Sequence, residues 1–278
     1  MRKLLFFIII IGVIGFIIYD GNTTVGTTNY TLSSKKLPAS FDGYKIVQLS
    51  DLHDAMFGEN HLDLVNEVVN AAPDAIYITG DFIDRNRYDL EQSLLLIDSI
   101  KDIAPIYYVT GNHEISINDV HRIKHALQER GVHVLSDEMK VLTSTEGEMI
   151  AIGGIEDPLS STETENVAIE TSIVNTFSGV SDDMFKILLS HRPEHFDIYV
   201  QNDIDVTFSG HAHGGQIRIP GFGGLVSPGQ GVFPKLTSGI HEKEGSQLVI
   251  SRGIGNSLFP VRIFNKAELV VVTLRKDA

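Results

Sequence analysis

Apolar positions in this chain follow three rhythms, and the first is unbroken. Leu4 to Tyr19 is apolar or glycine throughout and stops at Asp20. As a helix rising ~1.5 Å per residue the run extends ~24 Å, short of the ~30 Å hydrocarbon core but within reach of flanking-residue adjustment. No small-residue cleavage pattern follows, because Asp20-Gly21-Asn22-Thr23-Thr24 is polar. The run therefore predicts a retained transmembrane signal anchor over residues 1–20 rather than a removed leader. Arg2 and Lys3 hold the short end in the cytoplasm, which predicts a single-pass cell-membrane protein whose main domain is extracytoplasmic. Residues 21–40, rich in Thr, Ser, Asn and Gly without an apolar period, predict a linker, and 41–278 one large domain.

The second rhythm begins at Tyr44, where short β-branched runs alternate with stretches spaced for helices. Lys45 to Leu49 predicts a strand. Leu62, Val65, Val68 and Val69 mark one helix face, and Ala75 to Thr79 the next strand. Tyr88 to Ile100 predicts a second helix and Ile106 to Thr110 a third strand. Asn118 is placed to cap a helix with its stripe at Val120, Ile123, Ala126 and Leu127, and Gly131 to stop it in the left-handed conformation. Strand and helix in repeated alternation predict an α/β layered domain.

From Val132 the rhythm shortens. Val132–Leu135, Val141–Thr143 and Met149–Ile152, with a turn at Thr145-Glu146-Gly147, predict antiparallel strands joining the sheet. Residues 157–183, acidic and rich in Ser and Thr, predict a surface excursion with a helix near Val167 to Phe177. Phe185–Leu189 and Ile204–Phe208 predict buried strands, and Leu248–Ser251 and Leu269–Leu274 strands that close a second sheet. Between them, residues 214–231 are dense in Gly and Pro and predict a loop.

Composition narrows the chemistry. A hydrophobic share of 42% over 278 residues allows a sizeable core. A formal charge of −14 argues against a nucleic-acid partner, which needs a basic surface to neutralise phosphates. No cysteine is present, so ligands must be oxygen or imidazole. No feature of the chain points to a protein partner.

Such groups are concentrated after the predicted strands: Asp51-Leu52-His53, Gly80-Asp81, Gly111-Asn112-His113-Glu114, His191, and Gly210-His211-Ala212-His213. Each alone has a plain explanation. An aspartate after a strand caps a helix, and a single histidine packs in a core. Carboxylates, imidazoles and one amide delivered from five strand ends suit a pair of divalent cations, with Mn placed first and Fe or Zn as alternatives. His121 and His125 share a helix face but have no third ligand nearby. His61, His133, His195 and His241 are read as surface or packing residues. Arg192, Arg218 and Arg252 offer guanidinium forks that match phosphate oxygens.

This ordered set of blocks resembles the calcineurin-like metallophosphoesterase superfamily over residues 40 to 275. The phrase from His211 to Pro220 and Ser251-Arg252-Gly253-Ile254-Gly255 further resemble its bacterial membrane-associated branch, with YkuE-, YaeI- and LpxG-like members. The resemblance implies a four-layer α/β/β/α sandwich of two mixed sheets with metals at strand C-terminal ends. It implies that Asp81 bridges two metals, that Asp51, His53 and His213 complete one and that Asn112, His191 and His211 complete the other. His113 is implied to face the leaving group as proton donor while hydroxide activated by the metal pair attacks phosphorus. Asp54, Asp84 and Glu114 are candidates for orienting the ligand histidines. The implied function is hydrolysis of a phosphodiester or pyrophosphate in a small molecule, a lipid or a cell-envelope precursor. The alternative is a non-catalytic, membrane-tethered metal or ligand-binding protein on the same scaffold.

Overall fold

The computed structural model describes residues 2–257 and 261–277. Runs that are buried at every position, such as Ala75–Thr79 and Phe185–Leu189, can only be central strands covered on both faces. They nucleate two six-stranded mixed sheets. The first contains β1 (Val25–Ser34), β2 (Lys45–Leu49), β3 (Ala75–Thr79), β4 (Ile106–Val109), β5 (His133–Val134) and, last in the chain, β16 (Ala267–Lys276), in the order β1-β16-β2-β3-β4-β5. The second contains β6 (Glu138–Thr143), β7 (Met149–Gly154), β8 (Phe185–Leu189), β9 (Val206–Ser209), β14 (Gly239–Lys243) and β15 (Ser246–Ile250), in the order β14-β15-β9-β8-β7-β6. Helix α1 (Arg2–Thr23) precedes the sheets. Helices α2 (Leu62–Ala71), α3 (Leu90–Ile100), α4 (Asn112–Ile115) and α5 (Val120–Glu129) connect strands of the first, and α6 (Glu165–Thr176) and α7 (Phe196–Gln201) those of the second.

Alternation along each strand builds the layers. Ile46, Tyr77, Ile187 and Val249 point into the core between the sheets. Their neighbours Val47, Ile76 and Ile78 pack outward under α2, α3 and α5, against Leu64, Val68, Ile97 and Leu127. On the far side Leu188 and Leu248 pack outward under α6 and α7, against Ile169, Ile173 and Tyr199. The result is helix, sheet, sheet, helix, the expected four layers.

Three placements differ from expectation. Residues 21–40 are not a linker: α1 continues to Thr23, and after Thr24 alone β1 pairs in parallel with β16 along its whole length, from Val25↔Ala267 to Ser34↔Lys276. An edge strand needs only one covered face, so its outward Thr, Asn and Ser positions hide the apolar signal while Leu32 turns inward and is buried. Leu269–Leu274 lies in the first sheet, antiparallel to β2, not in the second; hydrophobicity shows that such a strand is buried but not beside which neighbour. Of the three short strands expected to pair antiparallel, β6 and β7 do, whereas β5 runs parallel to β4. The loop 214–231 carries two small hairpins, β10 (Arg218–Ile219) with β11 (Gly223–Gly224) and β12 (Val226–Ser227) with β13 (Gly231–Val232).

Parallel pairing aligns the C-terminal ends of β2, β3 and β4 in one sheet and of β7, β8, β9 and β15 in the other. The Gln48 amide spans the seam, donating to Thr79 Oγ1 and to the Ser209 carbonyl. A truncation series tests the reassignment of β1. A chain beginning at Thr24 is expected to fold and melt cooperatively, whereas one beginning at Lys35 uncovers the apolar β16 edge and aggregates on refolding.

Candidate metal centre

Every predicted site residue follows a strand end on that rim. Asp51 and His53 follow β2, Asp81 follows β3, Asn112 and His113 open α4 after β4, His191 follows β8, and His211 and His213 follow β9. Five of them adopt left-handed backbone: Asp51 (φ 53°), His53 (50°), Asp81 (49°), His211 (63°) and His213 (47°). That conformation costs a non-glycine residue ~1–2 kcal/mol and persists only where neighbours over-determine it.

The clamps are identifiable. The Asp51 amide donates to the Gly80 carbonyl and the His53 amide to the Asp81 carbonyl, both at 3.0 Å. The buried Glu114 carboxylate accepts from the amides of Asp81 (3.0 Å), Ile83 (3.0 Å) and Gly111 (2.7 Å). Burial and the neighbouring Asp81 charge push its pKa up to about 8. The His211 amide donates to both Asp51 oxygens, at 3.1 and 3.2 Å, tying the two sheets together. Gly210 makes that approach possible, since a Cβ there would meet Ser50 Oγ at 1.9 Å and Asp51 Oδ2 at 2.3 Å.

Three donor groups result among the described residues, two of which share Asp81. Asp51, His53, Asp81 and His213 bring one ligand atom each within 4.8 Å of one another, as do Asp81, His191 and His211, and Asp81 belongs to both. Its Oδ2 lies 3.6 Å from His53 Nε2 and 3.2 Å from His191 Nε2. Its Oδ1 is occupied by the His113 amide at 2.8 Å. His53 and His213 point their Nε2 atoms at each other across 3.2 Å, and His213 Nε2 is 3.4 Å from Asp51 Oδ1. His211 Nδ1 and His191 Nε2 also converge to 3.2 Å. Asn112 Oδ1 is buried beside them with no hydrogen-bond partner among the described residues.

The electrostatics fit cations. Burial drives the pKa values of His53 and His211 well below the ordinary imidazole range and lowers that of His213. These three therefore keep lone pairs, as ligation requires. Burial also works against charge on Asp81 and His191, but their mutual attraction overrides it. Asp81 is held well below the usual carboxylate range and His191 rises to about 10. The lone pairs of His53, His211 and His213, two buried carboxylates and a partnerless amide oxygen are the hard and borderline donors that divalent first-row metals take.

Of the outward ring nitrogens, that of His191 is held by a hydrogen bond in the way ligand histidines usually are, while those of His53, His211 and His213 have no hydrogen-bond partner among the described residues. His191 donates from Nδ1 to the Thr79 carbonyl at 2.7 Å, leaving Nε2 to face Asp81. His53 Nδ1 lies 3.8 Å from Asp84 Oδ2, a close approach that is not a hydrogen bond. Glu114 instead pins backbone, and Asp54 accepts from the amides of Asp84 and Asp89 and from Ser93, away from any ligand ring. His211 Nε2 faces Glu194 Oε1 at 3.7 Å, a residue sequence reasoning missed. Its one signal was proximity to His191 just beyond the same strand.

His113 packs edge-on against His53, with ring centroids 4.4 Å apart, and with His53 and Asp84 forms a third cluster of possible donors. Its Nδ1 accepts the Arg85 amide at 3.1 Å, which assigns the proton to Nε2, 3.3 Å from Ser257 Oγ. That nitrogen opens into a cleft of about 350 Å³ lined by residues including Asp81, Arg85, Asn112, Gln216 and Ser257. None of the three arginines singled out from the sequence lines it. Arg192 is buried in a two-pronged pair with Asp157 (2.7 and 3.0 Å), Arg252 pairs with Glu268 (3.0 Å), and Arg218 donates to the Gly214 carbonyl. Arg85 is the cleft's cation among the described residues. His121 and His125 are exposed on α5 and belong to no donor cluster among the described residues.

A family model described as calcineurin-like phosphoesterase matches residues 44–215, and the chain belongs to that family. It is accordingly a phosphoric ester hydrolase of a class that uses divalent metals. It is 29% identical to the metallophosphoesterase YkuE of Bacillus subtilis over 255 residues, 90% of this chain and 86% of that protein. With the metallophosphoesterase Cj0846 of Campylobacter jejuni it shares 30% identity over 279 residues, 98% and 70% of the two chains. The crystal structure of TT1561 of Thermus thermophilus matches with a TM-score of 0.50 at 12% identity, covering 76% of this chain and 90% of that one, a likeness of fold.

Gly210→Ala tests the seam between the sheets. The added Cβ must displace Ser50 and Asp51, so a loss of ~1–3 kcal/mol in stability and most of the metal-dependent activity is expected. A thermal melt and a hydrolysis assay on the same preparation check it.

Proposed function

We propose that the protein is a membrane-anchored, dinuclear metal-dependent hydrolase of a phosphodiester or pyrophosphate. The observation that carries the reading is the single Asp81 oxygen shared by two donor groups, since paired cations repel and need an anion between them. Asp51, His53, Asp81 and His213 would hold one metal; Asp81, Asn112, His191 and His211 the other. Mn is the first candidate, with Fe or Zn compatible with the same donors. When bound, the metals supply Lewis acidity at phosphorus and a water deprotonated near neutral pH.

The chain's own residues divide the remaining work. His113 Nε2–H, fixed in that tautomer by the Arg85 amide, is placed to protonate the departing oxygen. Asp81 holds its charge between the donor groups because Oδ1 is locked by the His113 amide, which couples the proton donor's position to the bridging carboxylate. Glu194 faces His211 Nε2 at 3.7 Å and would orient it from its outer side once a metal is bound. Arg85, Ser257 and Gln216 line the cleft as groups able to hold phosphate oxygens. With Arg85 as the cleft's cation, a phosphorus centre of low charge, as in a diester or anhydride, is the better match.

The anchor is read from α1, where Lys3–Thr23 is long and apolar enough to cross a membrane and is scarcely buried by the rest of the chain. Lys3 at its start favours a cytoplasmic N-terminus, which puts the catalytic domain outside. A lipid or cell-envelope precursor, held in that same membrane, is the substrate class this tethering supports.

Hydrolysis of bis-p-nitrophenyl phosphate with Mn²⁺, abolished by chelator, is the direct test; two bound metals with no turnover of any phosphate ester would favour a binding protein. His113→Asn is expected to lower kcat ~10²-fold or more on alkyl esters and much less on p-nitrophenyl esters, whose leaving group needs no proton. Glu194→Gln is expected to weaken metal affinity ~10-fold, with activity restored by excess Mn²⁺. Titration of the metal-free enzyme checks it.

A further inference from the structure

The hairpins beside the cleft carry large apolar side chains that the fold leaves bare. Phe222, at the β10–β11 turn, is 82% exposed, and Val232 and Phe233, at the end of the second hairpin, are 65% and 62% exposed. They are connected by backbone to the last turn of α1. The Phe233 amide donates to the Leu225 carbonyl (2.9 Å), and the Leu225 amide to Ile217 (2.8 Å). Ile217 bridges Ile263, and the Arg218 amide donates to the Ile263 carbonyl (3.0 Å). Beside Ile263, the Arg262 backbone amide donates to Asn22 Oδ1 (2.9 Å) and the Asn22 side-chain Nδ2 donates to the Arg262 carbonyl (3.1 Å). Asn22 lies one residue before the end of α1.

We propose that these hairpins are a bilayer-docking surface, in which Phe222, Val232 and Phe233 insert into the outer leaflet that α1 crosses. The proposal rests on the reading of α1 as a membrane span. Only Thr24 separates α1 from β1, so the domain cannot stand off from the membrane, and elements bonded to Asn22 sit at headgroup depth. Exposed aromatics at that depth gain from burial ~5–10 Å into the headgroup and acyl boundary. Charge agrees with the placement: in a chain of net charge −14, Arg218 beside the patch has no ion-pair partner among the described residues and is a cation suited to anionic headgroups, while Lys266 is paired with Asp20 of α1. The β12 residues Val226 and Ser227 line the cleft, so the docked hairpins open its mouth at the membrane surface.

The chain contains no tryptophan, so Phe222→Trp and Phe233→Trp each introduce a single fluorophore into the full-length protein. Met149→Trp, exposed at the start of β7 on the opposite rim, is the aqueous control. Each is reconstituted into phosphatidylcholine and phosphatidylglycerol vesicles with and without brominated acyl chains, and flotation and bis-p-nitrophenyl phosphate hydrolysis are measured on the same samples. The expected result is bromolipid quenching of the Phe222→Trp and Phe233→Trp reporters at least about threefold above the control, with acrylamide showing the reverse order. Floating, active protein whose hairpin tryptophans are quenched by acrylamide as readily as the control and untouched by bromolipid overturns the docking surface alone. Protein that fails to float overturns the membrane span and the docking surface with it, while its hydrolysis of the soluble diester leaves the phosphoesterase reading standing.

Discussion

The structure turns on one carboxylate, buried where two sheets meet. Asp81 spends Oδ1 on the His113 amide and leaves Oδ2 between His53 and His191. A charge so placed is tolerable only if cationic or hydrogen-bonding groups converge on it, and such groups come from both sheets. The first sheet supplies His53 and the His113 amide; the second supplies His191. The site therefore cannot exist without the sandwich, and the seam of the sandwich is stitched by the site, through His211 to Asp51 and Gln48 to Ser209.

Strain is concentrated on that rim. Five of the eight predicted site residues hold left-handed backbone, and side chains as bulky as imidazole accept it because short turns after strands must swing them over the sheet ends. The glycines between them work by absence of bulk. At Gly210 and Gly111 a Cβ would strike Asp51 and Asp81 respectively, so close passage of chain past carboxylate requires its omission. Fixed geometry of this kind presents the donors already assembled, so metal binding does not have to order them.

The N-terminal segment adds a second constraint. A flexible stalk would let the catalytic domain sample the space above a membrane, but β1 begins two residues after α1 ends and is locked to β16 along ten paired positions. The direction of the helix is thereby handed to the sheet, and the rim bearing the cleft lies next to the helix terminus through Asn22 and Arg262. Arg262, fully buried, donates to the carbonyls of Arg252 and Gly255 and so shapes the loop that passes beneath Asp51.

The central strands, the helices between them and the donor blocks after the strand ends were legible in the sequence. Burial on both faces demands continuous apolar runs, and metal-ligating chemistry demands residue types that few other uses would place at five strand ends. The edge strand β1 was not legible, because one-sided burial leaves half its positions polar, nor was the sheet to which β16 belongs, because register and neighbour are long-range choices. The partners of the arginines were not legible for a related reason: Arg192 and Arg252 found carboxylates distant in sequence, Asp157 and Glu268, while Glu194 acquired meaning only from the side chain it faces. Local pattern determined which elements form and which groups gather beyond the strand ends. The tertiary structure decided which charges pair, which nitrogen of each histidine points inward, and how the chain leaves the helix, since each depends on distances between residues that the linear order leaves free.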